Sequence, residues 1–165
     1  MRDAAEGRHR PVGAQIAAAA REWVGTPFVW EASLKGVGAD CRGVLAGAAR
    51  ACGRAEADEF EARVAGYSRR IDEDALRAGL DRLFDPVPVD ADLRLGDVLG
   101  FRIQHRMQHL AICTGDGGEC GGAPMMVHAY SGTPHQVVET PIGGFWMRRL
   151  AGVWRWRERG ARGGD

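Results

Sequence analysis

Lysine is almost missing from this chain: Lys35 stands alone, and every other basic residue is arginine. The 22 basic side chains are matched by 22 acidic ones, for a formal net charge of +0 with histidine neutral. With no field of either sign and no reading motif, nothing draws the chain to nucleic acid or to an anionic membrane. Long apolar runs are absent too, and the start MRDAAEGRHR has no apolar segment after its charges. The expectation is a chain with no signal peptide and no membrane insertion, made in a reducing cytoplasm where disulfides do not form. Cysteine is sparse: Cys41, Cys52, Cys113 and Cys120 include no CxxC pair. Cys113 and Cys120 lie near His109 and His128, but the spacing matches no zinc finger or ribbon, so neither a metal nor a cofactor is expected.

What is present suffices for one cored domain: 165 residues, 45% hydrophobic, with five tryptophans. Residues 1–12 read as a flexible polar tail, 13–156 as the single domain, and 157–165 as a charged tail. In GAQIAAAAREW (13–23), Ile16, Ala19, Ala20 and Trp23 form one stripe of a helix that Gly25 and Pro27 end. A second helix runs from Cys41 to about Cys52. The charged stretch 54–70 is ambiguous, with Phe60, Val64 and Tyr67 spaced like a buried stripe. IDEDALRAGLDRL (71–83) reads as a helix capped by Asp72, its inward face Leu76, Leu80 and Leu83. After Pro86 and Pro88 the period turns strand-like. A turn at Gly96 and Asp97 precedes strands at 98–103, 109–115, 125–130, HQVVETPI and 150–156. Helices first and hairpin-linked strands second predict an α+β fold, with N-terminal helices packed on a C-terminal antiparallel sheet of about five strands.

The stretch GVGADCRG puts Cys41 behind a glycine loop, in the first turn of its helix, with Asp40 as N-cap. A thiol there faces unpaired backbone N–H groups and the positive end of the helix dipole, which favour the thiolate near neutral pH. Cys41 is therefore expected to be the reactive cysteine and Cys52 a slow core residue. The plainer reading of the same residue is a small buried hydrophobe. A nucleophile needs a base. In HLAI, His109 shares a strand face with Ala111 and Cys113; in MMVHAY, His128 shares one with Met126 and Tyr130. A hairpin joining the two strands through the loop GDGGECGG sets both imidazoles on one face, the layout of a nucleophile, base and orienter. His105 and His135 fall in polar turns.

These motifs resemble the NlpC-type cell-wall cysteine peptidases, papain-like enzymes of bacteria and their phages. The family pattern Gly-Thr-Pro-Tyr-x-Trp, a glycine loop and Asp-Cys-Ser-Gly is similar to GTPFVW (25–30) followed by GVGADCRG. LRLGDVLGF, HLAI and VHAY then match in order, over about 13–156. The signal-less form ending in FWMRRLAGVWRW resembles the branch encoded with phage tails and gene transfer agents.

The resemblance implies a papain-like NlpC-type fold and a cysteine endopeptidase acting on peptidoglycan stem peptides, at the γ-D-glutamyl-meso-diaminopimelate bond. It implies partners among the tail or baseplate hub proteins of a phage-like particle, assembled in the bacterial cytoplasm and acting in the recipient periplasm. Cys41 would attack, His109 would serve as general base and then acid, and His128 would orient His109, with Gln136 or Glu139 the alternatives for that third place. Asp40, Arg42, Phe28 and Trp30 fall at oxyanion or substrate-binding positions. The chain departs from the pattern in having Phe28 for tyrosine, Arg42 for serine and Glu31-Ala32 for Gly-Gly. The fork of Arg42 is expected to pair with a stem-peptide carboxylate or to lie at the surface. Two other readings stand beside this one: a catalytically inactive structural component of a tail baseplate, and an amidase or acyltransferase of related fold.

Overall fold

The helices form where apolar spacing and caps coincide. In the computed structural model, which describes residues 10–64, 72–115, 117 and 122–158 with the side chains of 62–64 excepted, α1 spans Val12–Arg21. It buries Ile16, Ala19 and Ala20, with Trp23 just past its end. A small antiparallel hairpin, β1 (Ser33–Leu34) with β2 (Gly38–Ala39), leads into α2 (Cys41–Ala51). The ambiguous charged stretch contains α3 (Glu56–Val64) and buries Phe60; the side chain of Val64, and all of Tyr67, lie outside the described residues. The next helix, α4 (Glu73–Leu83), is capped by the Asp72 carboxylate, which accepts from the N–H groups of Asp74 and Ala75, and it buries Leu76, Leu80 and Leu83.

The second half is a sheet. Its strands are β3 (Asp85–Val87), β4 (Val98–Ile103), β5 (Arg106–Gly115), β6 (Met125–Ala129) and β7 (Val137–Pro141). After the short α5 (Gly144–Met147) comes β8 (Leu150–Arg155). All pairings are antiparallel, in the order β3-β8-β4-β5-β6-β7. The sixth strand is β3, which the prolines hid from sequence reasoning. Pro86 sits opposite Trp154 on the outermost strand, where a missing N–H is tolerated.

Strand alternation gives the sheet two buried faces. Val98, Leu110, Ile112, Val127 and Trp154 meet the helices in the main core. Leu99, Phe101, Ala111, Cys113, Met126 and Val153 form a second cluster on the opposite face, against which Trp146 of α5 packs. The turn before β4 is held by Asp97, buried and gripped by both Nε (2.8 Å) and Nη2 (2.7 Å) of Arg155. The segment expected to be a charged tail is anchored where it begins. The Arg157 guanidinium donates to the carbonyls of Arg82 (2.9 Å) and Phe84 (3.0 Å) and to Asp85 (2.8 Å).

Candidate active site

The site is built from the start of α2 and the centre of the sheet. Asp40 is extended and caps α2 as its position predicts: Oδ1 accepts the Gly43 N–H at 2.8 Å. Its other oxygen accepts the Glu31 N–H at 2.9 Å and Nη2 of Arg42 at 3.1 Å. Both Asp40 and Arg42 are buried. The structure thus corrects the surface reading of Arg42, whose fork turns inward onto the carboxylate that caps its own helix. The loop before the hairpin is pressed onto the same turn. A Cβ on Gly43 would stand 2.0 Å from the Ala32 carbonyl oxygen, and the Ser33 hydroxyl donates to the Gly43 carbonyl at 2.8 Å. Glu31 holds a left-handed backbone (φ 59°) where the family pattern has glycine, with its N–H fixed by Asp40.

Cys41 lies against β5. Its thiol is approached by the backbone N–H groups of Leu110 and Arg42, which favour the thiolate, as does the Arg42 charge. Burial outweighs them, and the adjacent Asp40 carboxylate adds to it, so the Cys41 thiol is pushed up to about 11. This corrects the expectation of a thiolate favoured near neutral pH. The residue that completes the helix N-terminus is itself an anion beside the sulfur, and the charged form would have to leave water.

The imidazoles meet as the strand faces require. Ile112 pairs with Val127, so His128 falls on the sheet face of Ala111, and His109, two residues along β5, is its diagonal neighbour. A register shift where β5 passes β4 leaves Gln108 without a partner beside His109, a bulge of the kind that re-aims a side chain next to a site. His109 Nε2 lies 2.8 Å from His128 Nδ1, and His128 Nε2 lies 3.3 Å from the Thr140 hydroxyl. Burial lowers both groups, with His128 a further cause at His109: His109 to about 3 and His128 to about 4. Both imidazoles are therefore neutral at neutral pH, and Nδ1 is the ring nitrogen of His109 left to take a proton from a thiol.

Trp146 covers the pair. Its ring stacks on His109 (centroids 5.4 Å apart, planes 28°) and meets His128 edge to face at 5.1 Å. Sequence reasoning missed Trp146 because nothing local ties the segment GGFW to histidines on two other strands. It missed Thr140 as well, although strand parity places that residue on the face of His128: His128 pairs with Val138, and Thr140 is two further along β7. Beside the dyad opens a groove of about 440 Å³ whose walls include His128, Tyr130, Thr140, Phe145 and Trp146.

No protein-family model matches the chain, and no curated protein does. Solved structures do match. One is the NlpC/p60 domain of the peptidoglycan hydrolase SagA, at 20% identity and TM-score 0.55, covering 86% of this chain and 97% of that one. A second is NlpC2 from Trichomonas vaginalis, at 17% identity and TM-score 0.61, covering 87% of this chain. A third, an NLP/P60-family protein similar to a lipoprotein from Staphylococcus aureus, has 16% identity and TM-score 0.51 over 96% of this chain. The fold is that of the NlpC/p60 domains. The chain spans 46% of the length of the second and third of these proteins.

On this NlpC/p60 scaffold the remaining sequence-derived positions separate into two groups. Phe28 is buried, bridges in parallel to Ala39 two residues before Cys41, and stands edge-on to Trp30 at 5.0 Å. Trp30 is 51% exposed and stays available to a ligand. Glu139, an alternative third residue, is engaged elsewhere: it accepts from Arg21 at 2.8 Å and from the Thr114 hydroxyl at 2.6 Å. Cys52 is half-buried at the end of α2, and Cys113 is buried in the second cluster. Cys120 lies outside the described residues.

Proposed function

We propose that this chain is a cysteine endopeptidase that hydrolyses peptidoglycan stem peptides, with the γ-D-glutamyl-meso-diaminopimelate bond as its scissile bond. The observation that carries the reading is the 2.8 Å contact between His109 Nε2 and His128 Nδ1, beside a cysteine at a helix start that packs on the same strand. The fold shared with a domain described as part of a peptidoglycan hydrolase supports it.

With the thiol neutral at rest, His109 acts as a general base during attack rather than as one half of a standing ion pair. Nδ1 takes the thiol proton as Sγ bonds to the scissile carbonyl carbon. The oxyanion is met by the Cys41 backbone N–H at the helix start. His109 then gives the proton to the leaving amine as the C–N bond breaks, and a water activated by the same nitrogen cleaves the thioester. His128 holds the ring of His109 in place.

By the resemblance of its motifs, the enzyme is made in the bacterial cytoplasm, joins the hub or baseplate of a phage-like tail and acts in the recipient periplasm. A second reading, an inactive structural component of such a tail, is favoured by the packing of Cys41 on β5 beside the buried Asp40 carboxylate, which pushes the thiol up and leaves little thiolate at rest. The test digests Gram-negative peptidoglycan with the purified chain and, separately, with the intact particle, and reads products by mass spectrometry. A γ-D-glutamyl product that Cys41→Ala abolishes without moving the thermal midpoint supports the peptidase. No product above that control from either preparation establishes the structural reading.

A further inference from the structure

The groove beside the dyad has a chemistry that the bond-breaking step does not use. Its volume of about 440 Å³ lies within the ordinary range of a small-ligand site, about 300–1,000 Å³. Among the described residues that line it, none is charged. The walls hold three hydroxyl-bearing side chains, Tyr130, Thr133 and Thr140, together with the rings of Phe145 and Trp146, and His128 borders them as a neutral imidazole. Two of the aromatic rings are held out toward water. Phe145 is 52% exposed, yet the Arg149 guanidinium lies 3.7 Å from its ring centre and donates to its carbonyl at 3.0 Å, and Trp146 meets it edge to face at 5.2 Å. Arg149 itself is not part of the wall. Tyr130 is 38% exposed and lies against Gly132, where a Cβ would stand 2.8 Å from its ring. An exposed aromatic ring fixed in this way offers an apolar face with little ordering left to lose on binding.

We propose that this groove binds an N-acetylhexosamine of the glycan strand from which the stem peptide hangs. A pyranose presents a C–H face that lies on an aromatic ring, and hydroxyl and acetamide groups that exchange hydrogen bonds with side-chain hydroxyls; the groove holds both kinds of partner. Charge separates the two halves of the polymer. The stem peptide carries free carboxylate and ammonium groups, which give up water only where a charged partner replaces it, and this wall has none. The glycan strand is neutral where the stem is attached, because the lactyl carboxyl is tied up in the amide bond to the peptide. The acyl half of the stem is also short, about two residues or roughly 7 Å of extended chain, which keeps the sugar as close to the γ-glutamyl carbonyl as a groove that starts at His128 requires. The inference rests on the proposed peptidoglycan substrate and deepens it.

The probe is the N-acetylglucosamine tetramer, titrated into the ¹⁵N-labelled full chain with backbone amide shifts as the readout. Shifts are expected at Thr133, Thr140 and Phe145, with a dissociation constant that rises roughly tenfold in Phe145→Ala and likewise in Tyr130→Ala, on the scale of one lost aromatic contact. In turnover, a stem peptide still carrying its disaccharide should have a KM roughly tenfold below that of the bare peptide in the native chain, and the gap should close to within about twofold in Phe145→Ala. If Phe145→Ala fails to fold, Tyr130→Ala carries both measurements. No shift in the groove with the tetramer, groove shifts from the bare stem peptide instead, or an affinity that both variants leave intact overturns the proposal. Tetramer binding in a chain that releases no product refutes the peptidase reading and leaves the glycan site standing. Product release with equal KM for the two peptides and no tetramer binding does the reverse.

Discussion

Acid should destabilise this protein well above the range where carboxylates titrate, and the two site histidines are the reason. Folding lowers His109 from 6.5 to about 3 and His128 from 6.5 to about 4, because burial excludes the charged imidazolium. Above about pH 6.5 both folded and unfolded chains carry neutral rings, and the two groups contribute nothing to the pH dependence. As the pH falls below 6.5, the unfolded chain binds two protons that the folded chain refuses, so stability is lost progressively toward the folded values. At pH 5 the cost is about 2 kcal/mol for each histidine and about 4 kcal/mol for the pair, and it hardly depends on how far below 5 the folded values lie. The share of His109 is an upper value, since that ring keeps some exposure to water. Glu22, Glu73 and Glu139 are lowered from 4.5, so their effects fall below this window. Urea unfolding at pH 7, 6 and 5 measures the loss directly. His109→Gln, whose amide still donates to His128, should lose about half of it. A flat stability between pH 7 and pH 5, or equal slopes in the native chain and His109→Gln, would refute the account of two histidines held neutral.

Cys41 should alkylate slowly in the free chain, because a thiol at about 11 holds roughly 100-fold less thiolate at pH 8 than one at its ordinary 9.0. Iodoacetamide labelling followed by peptide mass analysis tests this, and a Cys41 rate already at plateau below pH 7 would show a standing thiolate instead. Gly43→Ala places a Cβ 2.0 Å from the Ala32 carbonyl oxygen, a backbone atom that cannot swing aside, so the loop must move off α2. The expected loss is about 2–3 kcal/mol in urea unfolding, with activity falling alongside it, and a native-like midpoint would mean the loop is not seated as described.

Much of the frame was legible in the chain because it rests on local chemistry. Asp40 is the kind of residue that caps a helix, and it caps α2; Asp72 does the same for α4. Leu76, Leu80 and Leu83 recur at helical spacing and are buried, and strand alternation put His109 and His128 on one face before any register was known. What failed was what depends on neighbours distant in sequence. Pro86 reads as a break, and only a position at the sheet edge lets it lie in a strand. Arg42 reads as a surface or substrate-facing charge until the fold closes over it and Asp40 becomes its partner.

Cys41 divides the two kinds of information most sharply. The sequence by itself determined where the thiol stands along the chain, at the first turn of a capped helix, because capping and helix spacing act over a few residues. Its protonation depends on tertiary structure: packing against β5 and the neighbouring buried Asp40 carboxylate push the half-buried thiol up to about 11, against the pull of the helix terminus. The same holds for the imidazoles. Alternation along each strand set their face, but their 2.8 Å contact, the indole of Trp146 over both and the hydroxyl of Thr140 beyond them exist only because β5, β6, β7 and α5 are brought side by side.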